Sequence, residues 1–246
     1  MRTEIRSKYL TVLAANFNTG DYVRLGDGTD IRGNNITIGD HFYCSGGLRV
    51  GGGGHKGQNA NLTVGDRCTF HNNFINVCEP VVIGDDVGLS PEVSILTHGF
   101  WQSVLEGYPR KFAGVTIGNN VIVGYRSVIL PGVTICDNCV IGANSTVTKS
   151  LDKPGVYAGN PARFIKEIEK PSETEQRHLA LHILHQYAAH DPEANIEFMW
   201  PEVRVDDFTA NLLTFSYSGI ETETTDHFRD YMRKWGIRIY TERPFG

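Results

Sequence analysis

Residues 115–149 read VTIGNNVIVGYRSVILPGVTICDNCVIGANSTVTK. An aliphatic residue returns at every sixth place, at Ile117, Val123, Ile129, Ile135, Ile141 and Val147, and glycine follows it at Gly118, Gly124 and Gly142. Two places ahead of each aliphatic stands a compact residue: Val115, Val121, Ser127, Val133, Cys139 or Ser145. A period of six cannot lay one apolar stripe along a helix of about 3.6 residues per turn. Runs such as VTIG and VIVG are rich in β-branched residues, alternate inward and outward, and end on a turn residue, so they read as very short strands. Such a strand cannot bury its apolar face alone. It must stack on copies of itself, which makes a solenoid with the aliphatic ladder inside and glycine at corners that need unusual angles or close approach. The fold class is therefore mainly β, a parallel β-helix of six-residue repeats.

The same phase runs upstream through Ile83, Leu89 and Ile95, with Val81, Val87 and Val93 two places ahead. Further back, Val64 with Phe70, then Ile38, Cys44 and Val50, and finally Leu25 and Ile31 continue it. The step of seven from Ile31 to Ile38 implies a single-residue bulge at a corner. Two stretches break the ladder, 51–61 (GGGGHKGQNAN) and 97–114 (THGFWQSVLEGYPRKFAG), and both are expected to protrude as loops. Loops on a rigid scaffold are where function concentrates.

After Arg163 the period is lost. We divide the chain into a β-helix domain over 1–168 and a C-terminal α/β extension over 169–246. In the extension, 172–190 carries start signals and an apolar pattern through Leu179, Ile183 and Tyr187 that predict a helix. Residues 210–217 (ANLLTFSY) read as a strand, 224–236 as a capped helix closed by Gly236, and 237–242 (IRIYTE) as a strand. His178, His182, His185 and His190 read as a polar helix face. The extension reads first as a cap on the open end of the solenoid, with a contribution to the acceptor pocket or to assembly as the alternatives.

The composition excludes several classes. A net charge of -5 offers no general attraction to nucleic acid or to an anionic membrane. The N-terminal residues lack the apolar run of a signal peptide, and no window is long and apolar enough to span a bilayer. Five cysteines without secretory context point to a reducing, cytoplasmic setting rather than a disulfide framework. Cys136 and Cys139 have no second pair and no nearby histidine, so they read as packing residues and no metal is expected.

Residues 117–168 carry ILPGVTI, IGANSTVTK and AGNPAR in that order, and upstream VVIGDDVGLSPEVSILTHGF ends just past a histidine. Over 62–168 the chain resembles the hexapeptide-repeat acyltransferases, in particular the sugar O-acetyltransferases of the maltose and galactoside type. That resemblance implies a left-handed β-helix, an exception to the right-handed crossover rule. It also implies a homotrimer with active sites between subunits, acetyl-CoA as acyl donor and a small-molecule or glycan acceptor.

By resemblance His98 is the general base, and an unperturbed pKa of about 6.5 suits a histidine to take a proton near neutrality. Asn72 or Asn73 stands for the family's assisting asparagine and Glu79 for its acceptor-binding acid, while Trp101, close after the base, reads either as a surface to stack on a sugar ring or on the cofactor or as core packing of the loop. Asn72 and Asn73 also suit corners with left-handed angles. The oxyanion-stabilising amide falls on Tyr125. Family contacts to the donor map onto Gly124, Tyr125, Gly142, Ala143, Thr148, Lys149, Arg163 and Lys166, whose cations match the phosphates of CoA. The chain departs from many relatives at Ile122, where they carry tryptophan, and at Gly99, where they carry proline. Transfer to a sugar hydroxyl is the first reading and N-acetylation of an amino sugar or other small acceptor the second. A zinc carbonic anhydrase, which needs three converging histidines, and a non-catalytic scaffold are weaker readings of the same solenoid.

Overall fold

The protein is described by a computed structural model covering residues 8–243 and the backbone of residues 4 and 5. The chain separates into two compact units, Met1–Ile168 and Glu169–Gly246. The first is a left-handed parallel β-helix whose strands, two to four residues long apart from the nine-residue Thr11–Thr19 and Asp30–Ile38, stack on three faces.

The counted aliphatics form one vertical stack per face. Leu25, Cys44, Phe70, Leu89, Val123, Ile141 and Tyr157 follow one another on the first face. Ile31, Val50, Ile75, Ile95, Ile129 and Val147 make the second. Ile38, Val64, Ile83, Ile117, Ile135 and Leu151 make the third. All are buried, and so is the ladder of compact residues two places ahead, including Ser127 and Cys139. Because like stacks on like, each coil removes its apolar face from water only by covering its neighbour's.

The Gly-Asp and Gly-Asn corners have their own hydrogen-bond ladder. The carboxylate or amide oxygen of one coil accepts the backbone N–H of the coil before it: Asp66 Oδ1 from Asp40 at 2.7 Å, Asp85 Oδ1 from Asp66 at 2.9 Å, Asn119 Oδ1 from Asp85 at 2.8 Å and Asp137 Oδ1 from Asn119 at 2.7 Å. The preceding glycine makes the approach possible, since a Cβ on Gly65 or Gly118 would lie 2.2 Å from the incoming oxygen. The glycine therefore answers close contact rather than a left-handed angle. That angle falls two residues later, on Arg67, Asp86, Asn120 and Asn138.

The step of seven is resolved without a bulge. Asp30–Ile38 is one continuous strand that pairs with Arg49–Gly51 through its first residues and with Leu62–Val64 through its last, so one corner is drawn out straight. It also pairs along its length with Thr11–Thr19, a coil with no six-residue aliphatic signature. Of the two interruptions, 52–60 forms turns and 97–114 forms an arm in which His98–Gly99 pairs antiparallel with Lys111–Phe112.

The second unit comprises helix α1 (Glu173–His190), an antiparallel four-stranded meander and helix α2 (Glu223–Arg233). Ser172 and Glu175 cap α1 reciprocally, and Ile183 and Tyr187 are buried while Leu179 is exposed. The expected strand at 210–217 is interrupted: Asn211 Oδ1 accepts the amides of Leu213 and Thr214, which turns the chain between Phe208–Asn211 and Tyr217–Gly219. The expected strand at 237–242 does not form. Its carbonyl at Ile239 and the next one at Arg243 accept hydrogen bonds from the Arg229 guanidinium, buried in α2, instead of from a neighbouring strand. Gly236 closes α2 in a left-handed conformation. Among the described residues no helix is long and apolar enough to cross a membrane.

Truncating a member of a stack removes contacts on both sides. Ile129→Ala, between Ile95 and Val147, is expected to cost about 2–5 kcal/mol in denaturant titration, against well under 1 kcal/mol for Val82→Ala on the outer surface.

Candidate active site

Ser94–Ile95 carries the second-face ladder to the point where the arm leaves, and His98 is the first residue of the arm's hairpin. Its ring packs against Phe112 at 6.0 Å and Phe100 at 5.3 Å between centroids. Its Nδ1 lies 2.8 Å from Oδ1 of Asn76, a side chain only 2 % exposed. Asn76 ends the strand Phe74–Asn76, one coil before His98.

The orientation of the Asn76 amide is determined by its other partners. Nδ2 donates to the carbonyls of Gly51 at 2.9 Å and Gly53 at 3.1 Å, which only an N–H group can satisfy. Oδ1 must then face the other way, where it accepts from the Thr97 hydroxyl at 2.5 Å and from the Cys78 amide at 3.3 Å. An oxygen can only accept, so His98 holds its proton on Nδ1 and presents Nε2 as a bare lone pair. Thr97 completes the network by accepting the Glu79 amide at 3.1 Å.

Asn72 and Asn73 are engaged elsewhere. Asn73 is buried, accepting from the His71 amide and donating to the Ser90 carbonyl, both at 2.7 Å, and Asn72 accepts the Glu92 amide at 3.3 Å. Burial also pushes the His71 pKa down. Sequence reading missed Asn76, although the ladder carries the signal: one coil back from Ile95 is Ile75, and Asn76 follows it. The adjacent HNN string lies at the preceding corner. Glu79 accepts from Asn59 at 3.0 Å, and both line a cleft of about 630 Å³ bounded by 52–59 and Cys78. Trp101 projects from the arm 88 % exposed.

The residues mapped for donor contact divide between corners. Gly124 stacks on the next coil so closely that a Cβ would lie 2.6 Å from the Ala143 nitrogen, and Gly142 packs likewise on Ala158. The Tyr125 carbonyl accepts the Asn144 amide at 2.7 Å, and its hydroxyl donates to Glu92 at 3.0 Å. Arg126, ahead of Tyr125, holds the Glu92 carboxyl below the usual range. This corner and the corner of His98 lie at opposite ends of the second face. Thr148 and Lys149 follow Val147, so they continue the His98 corner two coils on. Arg163 and Lys166 lie on Arg163–Lys166, which pairs antiparallel with Gly155–Ala158 through the turn of the AGNPAR motif. Lys149, Arg163 and Lys166 are exposed and make no ion pair among the described residues, whereas Lys153 is tied to Glu167 at 2.6 Å. The Cys136 and Cys139 sulfurs lie 3.6 Å apart, and burial, with the Cys136 contact second, pushes Cys139 up to about 12. Among the described residues no cluster of three or more His, Cys, Asp or Glu is arranged to hold a metal.

The family model for bacterial transferase hexapeptide (six repeats) matches residues 114–149. A Dictyostelium discoideum protein that carries an acetyltransferase name is 38 % identical over 141 residues, spanning 56 % of this chain and 70 % of that one. The chain belongs to the hexapeptide-repeat acetyltransferases. Galactoside O-acetyltransferase of Escherichia coli is 39 % identical over 138 residues, covering 55 % of this chain and 56 % of the relative, so the match spans little more than half of that enzyme. The structure of AntD, an N-acyltransferase from Bacillus cereus in complex with dTDP and coenzyme A, has the same fold, with a TM-score of 0.53 at 20 % identity over 70 % of this chain and 93 % of that one. Against this family pattern, Ile122 is 49 % exposed beside the Gly124 corner, and Gly99 pairs with Lys111 in the arm.

With ¹⁵N-labelled histidine, the neutral ring of His98 is expected to carry its proton on Nδ1 and leave Nε2 bare. In Asn76→Ala the preference should relax toward the tautomer mixture of free histidine, in which the proton favours Nε2.

Proposed function

We propose that the chain transfers the acetyl group of acetyl-CoA to a hydroxyl of a sugar or glycan, with His98 as general base. The observation that carries this reading is the Asn76 lock, which holds the imidazole in the one tautomer able to accept a proton at Nε2. The acceptor proton passes to Nε2 as its oxygen forms a bond to the thioester carbon. The C–S bond then breaks, and the proton on Nε2 returns to the departing sulfur, leaving an acetyl ester and CoA. Asn76 acts through His98, as a positioning residue.

The developing oxyanion needs a fixed donor. The Tyr125 amide is our candidate, and its place at the far end of the face from His98 supports an active site completed by a neighbouring copy, as in the homotrimer that the resemblance implies. The acyl donor suits the residues mapped for it. Gly124 and Gly142 let successive coils pack closely at the corner where the pantetheine arm would lie, and the exposed Lys149, Arg163 and Lys166 suit a pyrophosphate and a 3′-phosphate on an otherwise acidic protein. Glu79 faces the adjacent cleft as an acceptor for substrate hydroxyls, and Trp101 is free to close over a sugar ring.

His98→Ala should lower kcat by about 10²- to 10⁴-fold in a thiol-release assay with a sugar panel while still binding CoA in calorimetry. Undiminished transfer would exclude His98 as the base, and faster turnover of amino sugars at nitrogen would move the reading to N-acetylation. Lys149→Ala is expected to raise the KM for acetyl-CoA by about tenfold with kcat little changed.

A further inference from the structure

The glycine-rich stretch 51–61 has no part in the chemistry above, yet it is built against the base. A Cβ placed on Gly53 would lie 3.3 Å from both Cε1 and Nε2 of His98. That edge of the ring is the one turned toward substrate, since Nδ1 is taken by Asn76. Gly53 also lines the cleft of about 630 Å³, a volume ordinary for a small-molecule site. Gly53 therefore borders both the cleft and the Nε2 edge of the ring.

The stretch is latched at both ends. Its near end hangs on Asn76, whose Nδ2 holds the Gly51 and Gly53 carbonyls, so one amide orients the base and the wall beside it. Its far end is tied by the hydrogen bond from Asn59 to Glu79. Between them His55 folds back onto the Gly52 carbonyl at 2.6 Å, clear of the Gly53 position. Gly52 and Gly54 adopt left-handed angles of +83° and +84°, which explain their identity by backbone conformation. Gly53 does not share such an angle. Its lack of a side chain answers space alone.

We propose that 51–61 is the acceptor-selecting wall of the site and that Gly53 is its specificity-determining residue. The bare Cα leaves room beside Nε2 for a ring carbon that bears the reacting hydroxyl. The Asn59–Glu79 end supplies a carboxylate and an amide to further hydroxyls, so the acceptor class is a polyhydroxylated ring rather than a simple alcohol. This inference rests on His98 being the base.

The full-length protein carrying Gly53→Ala or Gly53→Val tests it in two ways. The φ of Gly53 lies outside the left-handed region, so a side chain there meets no backbone strain of that kind, and thermal midpoints verify that both variants fold. In the first test His98 is modified with diethyl pyrocarbonate and followed by peptide mass. Gly53→Val should slow modification of His98 about fivefold or more, while the exposed His178 and His185 react at their wild-type rates. An unchanged His98 rate would overturn the inference whatever the acceptor. In the second, kcat/KM is measured for acetyl transfer to hexosides and to glycerol. Gly53→Ala should cut the hexoside value about tenfold and the glycerol value much less, with the KM for acetyl-CoA unchanged. An equal loss for both acceptors, or none for either, would overturn it. Failure of the catalytic reading has a different signature, full transfer by His98→Ala.

Discussion

A strand of two or three residues has only one or two inward side chains, and these are dry only when the coils above and below supply the same kind of side chain at the same height. The molecule's first unit is a consequence of this constraint. It sets three stacks of mostly aliphatic residues and gives them parallel register. The corners obey a matching rule. Each Asp or Asn oxygen reaches the amide of the coil before it only because glycine leaves the gap empty, so the Gly-Asp and Gly-Asn pairs are hydrogen-bonding devices as much as turns.

Fixed register is what makes a site possible on so small a repeat. A residue that breaks the aliphatic pattern is held at a known height and corner by its neighbours. Asn76 uses this: its backbone is fixed in the second face, and its amide reaches across to the coil before and the arm after. Four neighbouring groups, the carbonyls of Gly51 and Gly53, the Thr97 hydroxyl and the Cys78 amide, leave it one orientation. The tautomer of His98 follows from that choice. The rigid solenoid thereby determines a proton position, which is a finer decision than placing a side chain.

The second unit is held by different means. Its core sets Tyr187, Phe208, Phe228 and Met232 among aliphatic residues without a repeat, and its last segment is tied down by side-chain bonds from Arg229. Alternating β-branched residues at 237–242 favour a strand, but no partner edge competes with a buried guanidinium for those carbonyls. Local preference lost there to a tertiary charge that needed acceptors.

The period of six, readable in residues 115–149, was sufficient for the solenoid, for most members of its stacks though not Ile75, Leu151 or Tyr157, and for the two interruptions, because a repeat states its packing partners within itself. It also marked His98, where ladder and arm meet. The sequence alone did not select the asparagine that serves His98, since Asn72, Asn73 and Asn76 are alike in chemistry and lie within five residues. Only the stacked coils separate them, turning Asn73 onto Ser90, Asn72 onto Glu92 and Asn76 onto His98. The same holds for Gly53, one of four consecutive glycines whose particular role depends on an imidazole forty-five positions away. Repetition carries short-range order in the chain itself, whereas contacts between a loop and a distant coil exist only once the stack has brought them to one corner.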